Sequence, residues 1–444
     1  MKNIIISLSL LSLLNTAIYA DTILTFGERR SSPIDHMPAK QVADTINIVQ
    51  DPTPFTEQIT PMSRDEQLYY DSQYNQKYFE PWDIVSMELT EGEKTWQFKY
   101  AREKTFNRDG SRIAKNWYKY AIKNSNFDNY ESIAKAGITL KHTDLRLYPS
   151  LKEIFYNPER TGEGFPFDYN QNSAVYINTP IFVSHYSLDK KWVYVKTSFA
   201  FGWIKVSDMA LVEQEFQNSF RNNKYAVTVK DNLQLLDDGV YLSLIKMGTI
   251  FPVDPITKEY IIAKKDNRGY ANISKVKVQD SDTNIIAYKP IKFNAKNVAY
   301  ISKQLVGEPY GWGGKMKARD CSALTRDFFA PFGIYLRRNS RQQAQDGDAI
   351  SIRGLDAETK RETILANAKP CRSLLFVAGH IMLYLGEQKG EPIILHNYWG
   401  VRLNNGDKRV MGRAIITTTK PGIERSDVRK KSMLINTLTG IINF

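Results

Sequence analysis

The chain has 444 residues, more than one ordinary core accommodates and enough for about three domains. Apolar residues make up 42% and charged residues 24%, which excludes a disordered chain, while 25 Tyr and 21 Phe favour strand-rich modules. Lys and Arg number 60 against 48 Asp and Glu; the net charge of +12 is spread along the chain and suits a polyanionic surface, with a solvated basic face as the plain alternative.

The first twenty residues, MKNIIISLSLLSLLNTAIYA, read as a secretory signal: Lys2, an apolar run from Ile4 to Leu14, and Ala20 before the polar Asp21. A membrane span needs about 20 apolar residues, so this run is too short, and no second such run follows. The expectation is an exported, periplasmic or secreted protein with no integral membrane anchor after signal cleavage. No Cys near the cleavage site offers a lipoprotein anchor. Export removes nucleic acid as a partner and leaves a bacterial envelope polymer.

Residues 21 to about 60 carry Pro52, Pro54 and Pro61 and little periodicity, so they read as an extended lead-in. From Arg64 to Ala136 the pattern turns helical. In SRIAKNWYKYAIKNSNF the residues Ile113, Trp117, Tyr120 and Ile122 suit one amphipathic face, and residues 21–136 are taken as lead-in plus helical domain. Short alternating strands then appear across 137–212, such as KWVYVKTS and FGWIKVSDMALV. A second version follows across 224–279, where EYIIAKKDNRGYANISKVKV repeats the rhythm with Gly269 set against Gly202. Two small β-barrels in tandem are predicted, and both segments resemble bacterial SH3-like domains.

Residues 291–444 read as helices followed by strands. In NVAYISKQLVGEPYGWGG, Val298, Ile301 and Leu305 share a helical face and Gly307 suits the helix end. In DCSALTRDFFAPFGI, Cys321 opens a helix that Asp320 can cap, with Leu324, Phe328 and Phe332 on its inward stripe. A helix N-terminus lowers a thiol pKa, which suits a nucleophile. An exported chain also pairs cysteines, so a disulfide between Cys321 and Cys371 is the competing use. Two apolar segments follow, SLLFVAGHIMLYLG and EPIILHNYWG, each with one histidine. Alternation sets His380, Met382 and Tyr384 on one face and Ile381, Leu383 and Leu385 on the other, so one face is expected to meet the cysteine helix. A helix Cys followed by two strand His residues is what a nucleophile, a base and an orienting residue require. No HExxH or CxxC spacing supports zinc, and no metal or organic cofactor is expected.

In order and spacing, PYGWGG, RDCSALT, AGHIMLYLG and LHNYWG resemble the NlpC-type family of cell-wall cysteine peptidases, across about residues 295 to 415. The resemblance implies a papain-like α+β catalytic domain behind a helical segment and two SH3-like barrels. It also implies hydrolysis of the γ-D-glutamyl to meso-diaminopimelate bond in peptidoglycan stem peptides, with L-Ala-γ-D-Glu-diaminopimelate as the partner. Carried over residue by residue, Cys321 is the nucleophile, His380 the base, His396 the residue holding the imidazole, and Tyr310 the tyrosine beside the thiol. Asp320 and Ser322 would help bind the stem. RRNSRQQ is similar to the family's Arg-Asp-Ser segment and gives Arg338, Asn339 and Ser340, with Asn339 standing where the family has an acid. Tyr169 is the candidate for a groove wall supplied by the first SH3-like domain. Cys371 matches no family function and reads as buried filler. The alternative from another class is a catalytically idle wall-binding scaffold that uses the SH3-like pair.

Overall fold

The computed structural model describes residues 42–237, 240–276 and 285–444; the signal segment and His36 lie outside them. The architecture is multi-domain, with N-terminal helices, a β-rich SH3-like region and a C-terminal α+β domain. Among the described residues no helix is long and apolar enough to cross a membrane.

The lead-in is more structured than its composition predicts. Short helices at Ala43–Asn47 and Thr53–Thr56 lie against the C-terminal domain. Helix α1 (Arg64–Phe79) starts at the Ser63 cap, whose hydroxyl accepts from the Glu66 amide at 3.2 Å. It sends Tyr74, Tyr78 and Phe79 into an aromatic cluster with Trp82, Phe216, Phe220 and Tyr225. Around helix α2 (Lys115–Asn124) the predicted Ile113, Trp117 and Ile122 join one core cluster, and only Tyr120 departs from the stripe. The buried residues of the helix are Tyr118, Ala121 and Asn124; Tyr120 is 59% exposed and Ile113 precedes the helix. The phase is set by Tyr118, whose hydroxyl bonds Thr105 at 2.8 Å while its ring meets Trp117 and Tyr148.

The first β-region comprises β1 (Lys135–Thr139), β2 (Thr143–Arg146), β3 (Gln171–Val175), β4 (Pro180–Tyr186), β5 (Trp192–Lys196), β6 (Phe201–Lys205) and β7 (Met209–Leu211). They form one antiparallel sheet in the order β3-β2-β6-β5-β4-β1-β7 over a core that includes Leu145, Val183, Val193, Val195 and Ile204. The second region comprises β8 (Tyr225–Thr228), β9 (Leu233–Asp237), β10 (Val240–Ile245), β11 (Ile250–Pro252), β12 (Tyr260–Lys265), β13 (Ala271–Val276) and β14 (Ile286–Tyr288). It consists of two hairpins and a three-stranded sheet. Gly202 and Gly269 are not structural equivalents: Gly202 pairs with Val195 inside β6, whereas Gly269 sits in the turn before β13.

In the C-terminal domain α3 (Ala295–Leu305) and α4 (Cys321–Phe329) pack on a six-stranded sheet. Its strands are β15 (Asp348–Ser351), β16 (Ser373–Val377), β17 (His380–Gln388), β18 (Glu391–Arg402), β19 (Lys408–Thr418) and β20 (Gly440–Asn443), in the order β15-β20-β16-β17-β18-β19. Ile381, Leu383 and Leu385 join Cys321, Leu324 and Phe328 in one core, while Met382 and Tyr384 face a second core on the other side. Strand β17 therefore has no free face, and the helix meets the Ile381 side. Edge strand β19 is covered by the lead-in: Gln50 exchanges hydrogen bonds with both backbone groups of Ile416, and the Asp44 carboxylate accepts from the Thr418 amide and hydroxyl.

A buried charge cluster ties the second β-region to α4. Arg319 donates to Asp231, Glu308 and Asp327, and Lys246 donates to Asp231 and Glu308, all between 2.6 and 3.0 Å. Each cation reaches more than one carboxylate, which is what keeps buried charges tolerable.

Candidate active site

Cys321 is the first residue of α4 and Asp320 its cap, the carboxylate accepting from the Ala323 amide at 2.9 Å. The loop before it contains Gly313 and Gly314, both at positive φ, packed directly against β3 of the first β-region. A Cβ on Gly313 would lie 2.8 Å from the Gln171 carbonyl oxygen, and one on Gly314 would lie 2.5 Å from the Ala174 Cβ. These glycines let the β-region approach the cysteine closely enough to form one side of a cavity.

The Asp320 carboxylate is fully engaged. Arg338 grips it with two hydrogen bonds of 3.0 and 2.7 Å, and the Gly313 amide adds a third at 3.0 Å. Arg338 also donates to the Ser322 hydroxyl at 2.9 Å and, through Nε, to Ser173 on β3 at 2.8 Å. Burial pushes the Asp320 carboxyl up, but Arg338 outweighs it and holds the group below the ordinary range. Asn339 is itself a helix cap: its Oδ1 accepts from the Gln342 amide at 2.9 Å and its amide group donates to the Gln342 side chain at 2.7 Å. Ser340 begins that short helix, Ser340–Gln343.

Cys321 and Cys371 are both free and buried. Cys371 lies in a turn at positive φ, two residues before β16. The Cys321 thiol differs from the sequence expectation. Burial, with Asp320 beside it, pushes it up to about 12, against which the Ile381 and Ser322 amides act. Burial first, and the carboxylate at the capping position second, outweigh what the helix terminus offers a thiolate. On the strand side, burial holds His380 down to about 4, opposed by Asp320. Thiol and imidazole both rest in their neutral forms.

The two histidines are joined, His380 Nε2 to His396 Nδ1 at 2.9 Å. His396 Nε2 meets the Thr417 hydroxyl at 3.1 Å, and that hydroxyl donates to the Thr418 carbonyl at 2.7 Å. A carbonyl only accepts, so the single Thr417 proton is committed to it and Thr417 accepts from His396. His396 then carries its proton on Nε2 and accepts at Nδ1 from His380. The His380 proton lies on Nε2, which leaves Nδ1 with a free lone pair. Sequence reasoning missed Thr417, a hydroxyl in an apolar strand with no motif around it.

Cys321 and His380 open α4 and β17 respectively, and the sulfur lies against the Ile381 amide. Ile381 directly follows His380, so the two elements bring their first residues to the same end of the sheet. Tyr310 is buried, with Phe167 and Trp399 against its ring. Burial, with Cys321 and Asp320 adding to it, pushes the Tyr310 hydroxyl well up, so it remains a donor. A cavity of about 660 Å³ is lined by Cys321, Tyr310, Asp320, Ser322, Arg338, Asn339 and Ser340 from the C-terminal domain and by Tyr169 and Lys196 from the first β-region. Trp96 and Tyr100 of the N-terminal domain also line it. Among the described residues no group of three or more His, Cys, Asp or Glu side chains is arranged to hold a metal ion.

Comparison with known proteins identifies the family of these domains. Family models match at residues 5–130 (NLPC_P60 stabilising domain, N term), 153–205 (SH3 domain, SH3b1 type) and 307–419 (NlpC/P60 family). No curated protein matches. Among solved structures, an NlpC/P60 endopeptidase from Photobacterium damselae subsp. piscicida is 23% identical, covers 89% of this chain and 97% of its own, and superposes with a TM-score of 0.79. An NlpC/P60 family protein from Bacillus cereus is 15% identical over 70% of this chain and 99% of its own, with a TM-score of 0.43. The chain thus carries an NlpC/P60-family domain at residues 307–419, preceded by that family's N-terminal stabilising domain and an SH3 domain of the SH3b1 type.

Proposed function

We propose that this protein is an exported peptidoglycan hydrolase, a cysteine endopeptidase that cuts the γ-D-glutamyl to meso-diaminopimelate bond of stem peptides. The observation that supports the reading is the hydrogen-bonded series His380, His396, Thr417, which leaves the Nδ1 lone pair free on His380, the neighbour of Ile381, whose amide lies against the Cys321 sulfur. In the reaction, Sγ attacks the γ-carbonyl carbon as its proton passes to His380 Nδ1. The carbonyl oxygen becomes an oxyanion, for which the Cys321 amide and the Tyr310 hydroxyl are the candidate donors. Collapse breaks the C–N bond, His380 returns the proton to the diaminopimelate amine, and a thioester remains. Water, deprotonated by the same imidazole, then releases the glutamyl carboxylate and the thiol. No metal or organic cofactor enters any step.

Arg338, held by Asp320, Ser322 and Ser173, would position the stem-binding wall across both domains, with Tyr169 opposite. The test is digestion of purified peptidoglycan and of stem tripeptide by the protein and by Cys321→Ala, with products identified by mass. A new diaminopimelate amine and a free γ-glutamyl carboxylate, absent with Cys321→Ala, are expected. Products from any other bond, or full activity in Cys321→Ala, would overturn the assignment.

A further inference from the structure

The proposed reaction requires the leaving amine to lie within hydrogen-bond reach of His380, so the residue that carries this amine extends past the imidazole, away from the sulfur. Two fixed charges act on that imidazole. One is Asp320, which lines the Cys321 cavity; the other is Lys408, the first residue of β19, which does not line it. The Lys408 side chain runs against Gly162, in the loop before β3 of the first β-region. A Cβ on Gly162 would lie 3.1 Å from Nζ and 3.5 Å from Cδ and Cε, so the positive-φ glycine lets the loop close over the amine. Among the described residues Nζ makes no ion pair or hydrogen bond, although Lys408 is partly buried. The charged groups around it supply no partner. Arg402, its cross-strand neighbour, and Arg160 add positive charge, and the carboxylate of Glu163 is paired with Arg160 at 2.8 Å. The Asp407 carboxylate accepts from the Lys408 backbone amide at 2.8 Å and from the Thr161 hydroxyl.

An ammonium that has lost part of its water without gaining a carboxylate is set to bind an anion. Diaminopimelate brings one: its side chain ends in a carboxylate beside an amine, and that carboxylate stays charged when the stem continues, whereas the carboxylate next to the scissile amine then becomes an amide. Lysine at the same position ends in an ammonium alone, which Lys408, Arg402 and Arg160 repel. We infer that Lys408 is a specificity-determining residue on the leaving side, where it takes the distal carboxylate of diaminopimelate and favours that residue over lysine. The inference rests on the peptidase reading, and it gives the first β-region, through Gly162, a part in choosing the leaving residue.

The experiment measures kcat/KM for L-Ala-γ-D-Glu-diaminopimelate, for the same peptide with its distal carboxylate amidated, and for L-Ala-γ-D-Glu-L-Lys, together with the Kd of each for Cys321→Ala. The unmodified diaminopimelate peptide is expected to exceed both others by about tenfold, the worth of one hydrogen bond between charged groups. Lys408→Met should bring the three peptides close to parity, by weakening the first and improving the lysine peptide, and Lys408→Arg should keep the original order. Because Lys408 also acts on the His380 imidazole, the ratio between peptides is the readout rather than any single rate. A protein that treats the three peptides alike, or an order that Lys408→Met leaves unchanged, overturns the inference; the amidated peptide decides it even where Lys408→Met fails to fold. If no peptide is cut while Cys321→Ala binds them in the expected order, the peptidase reading falls and the selectivity stands. Cleavage of all three with equal efficiency keeps the peptidase reading and sinks the selectivity.

Discussion

Thr417 accepts a hydrogen bond from His396 because its own proton is committed to the Thr418 carbonyl, at 2.7 Å. This hydroxyl, two residues away from the catalytic imidazole in the hydrogen-bonded series, fixes which nitrogen of His380 is basic. Thr417→Val keeps the shape and removes the acceptor. The expected result is a fall in kcat of roughly 10- to 100-fold with KM little changed, less than the full 10²- to 10⁴-fold worth of acid–base catalysis. Thr417→Ser should restore activity, and steady-state kinetics on the three proteins decides it.

Desolvation lowers four histidines: His142 down to about 3, His380 to about 4, and His185 and His396 also. Below about pH 6.5 the unfolded chain takes up protons that the folded chain refuses, so stability is complete above that value and is lost as pH falls toward 4. His142 and His380 each contribute a slope of up to about 1.4 kcal/mol per pH unit in that window, and His185 and His396 act in the same direction. Urea unfolding at pH 7.5, 6 and 5 should show the midpoint dropping steeply; a flat profile would mean that the imidazoles are protonated in the fold.

Arg338 and Asp320 form a buried pair that also closes the boundary with β3 through Ser173. Arg338→Leu strands the carboxylate, and removing one partner of a buried pair costs about 3–5 kcal/mol. Arg338→Leu with Asp320→Asn should recover part of that loss in thermal melts, although the helix cap is then weaker. Recovery of none of it would mean that the loss comes from Ser173 and packing rather than from the stranded charge.

Iodoacetamide should label Cys321 and spare Cys371. Cys321 lines the cavity, while Cys371 is fully enclosed with its thiol pushed well up. Because the Cys321 thiol is itself raised to about 12, the rate should climb about tenfold per pH unit between pH 7 and 10. A rate already saturated at neutral pH would reveal a resting thiolate.

The candidate catalytic residues stood out because each sits in a short segment whose pattern is local: a capped amphipathic turn around Cys321 and two alternating strands around His380 and His396. Tyr120 was read onto the buried face that Tyr118 takes instead, because the Tyr118 ring packs on Tyr148, thirty positions away, which local periodicity does not register. The cluster of Arg319, Asp231 and Lys246 left no trace in the sequence, since it pairs residues 88 apart across two domains. Asp320 was readable both as a cap and as a substrate ligand; in the fold it caps α4 while both its oxygens accept from Arg338, a partner that no local pattern announces. The thiol was expected to be acidic from the helix terminus alone; the cost of enclosing it beside a carboxylate appears only once the chain is folded.

The strip from Val42 to Gln50 that closes the exposed border of β19 changes what counts as the smallest working enzyme. A recombinant fragment starting near residue 291 would contain every group in the proposed chemistry and still present a raw β-border to its neighbours. Such a fragment is expected to self-associate, and co-expression with a peptide spanning residues 42–60 should return it to solution.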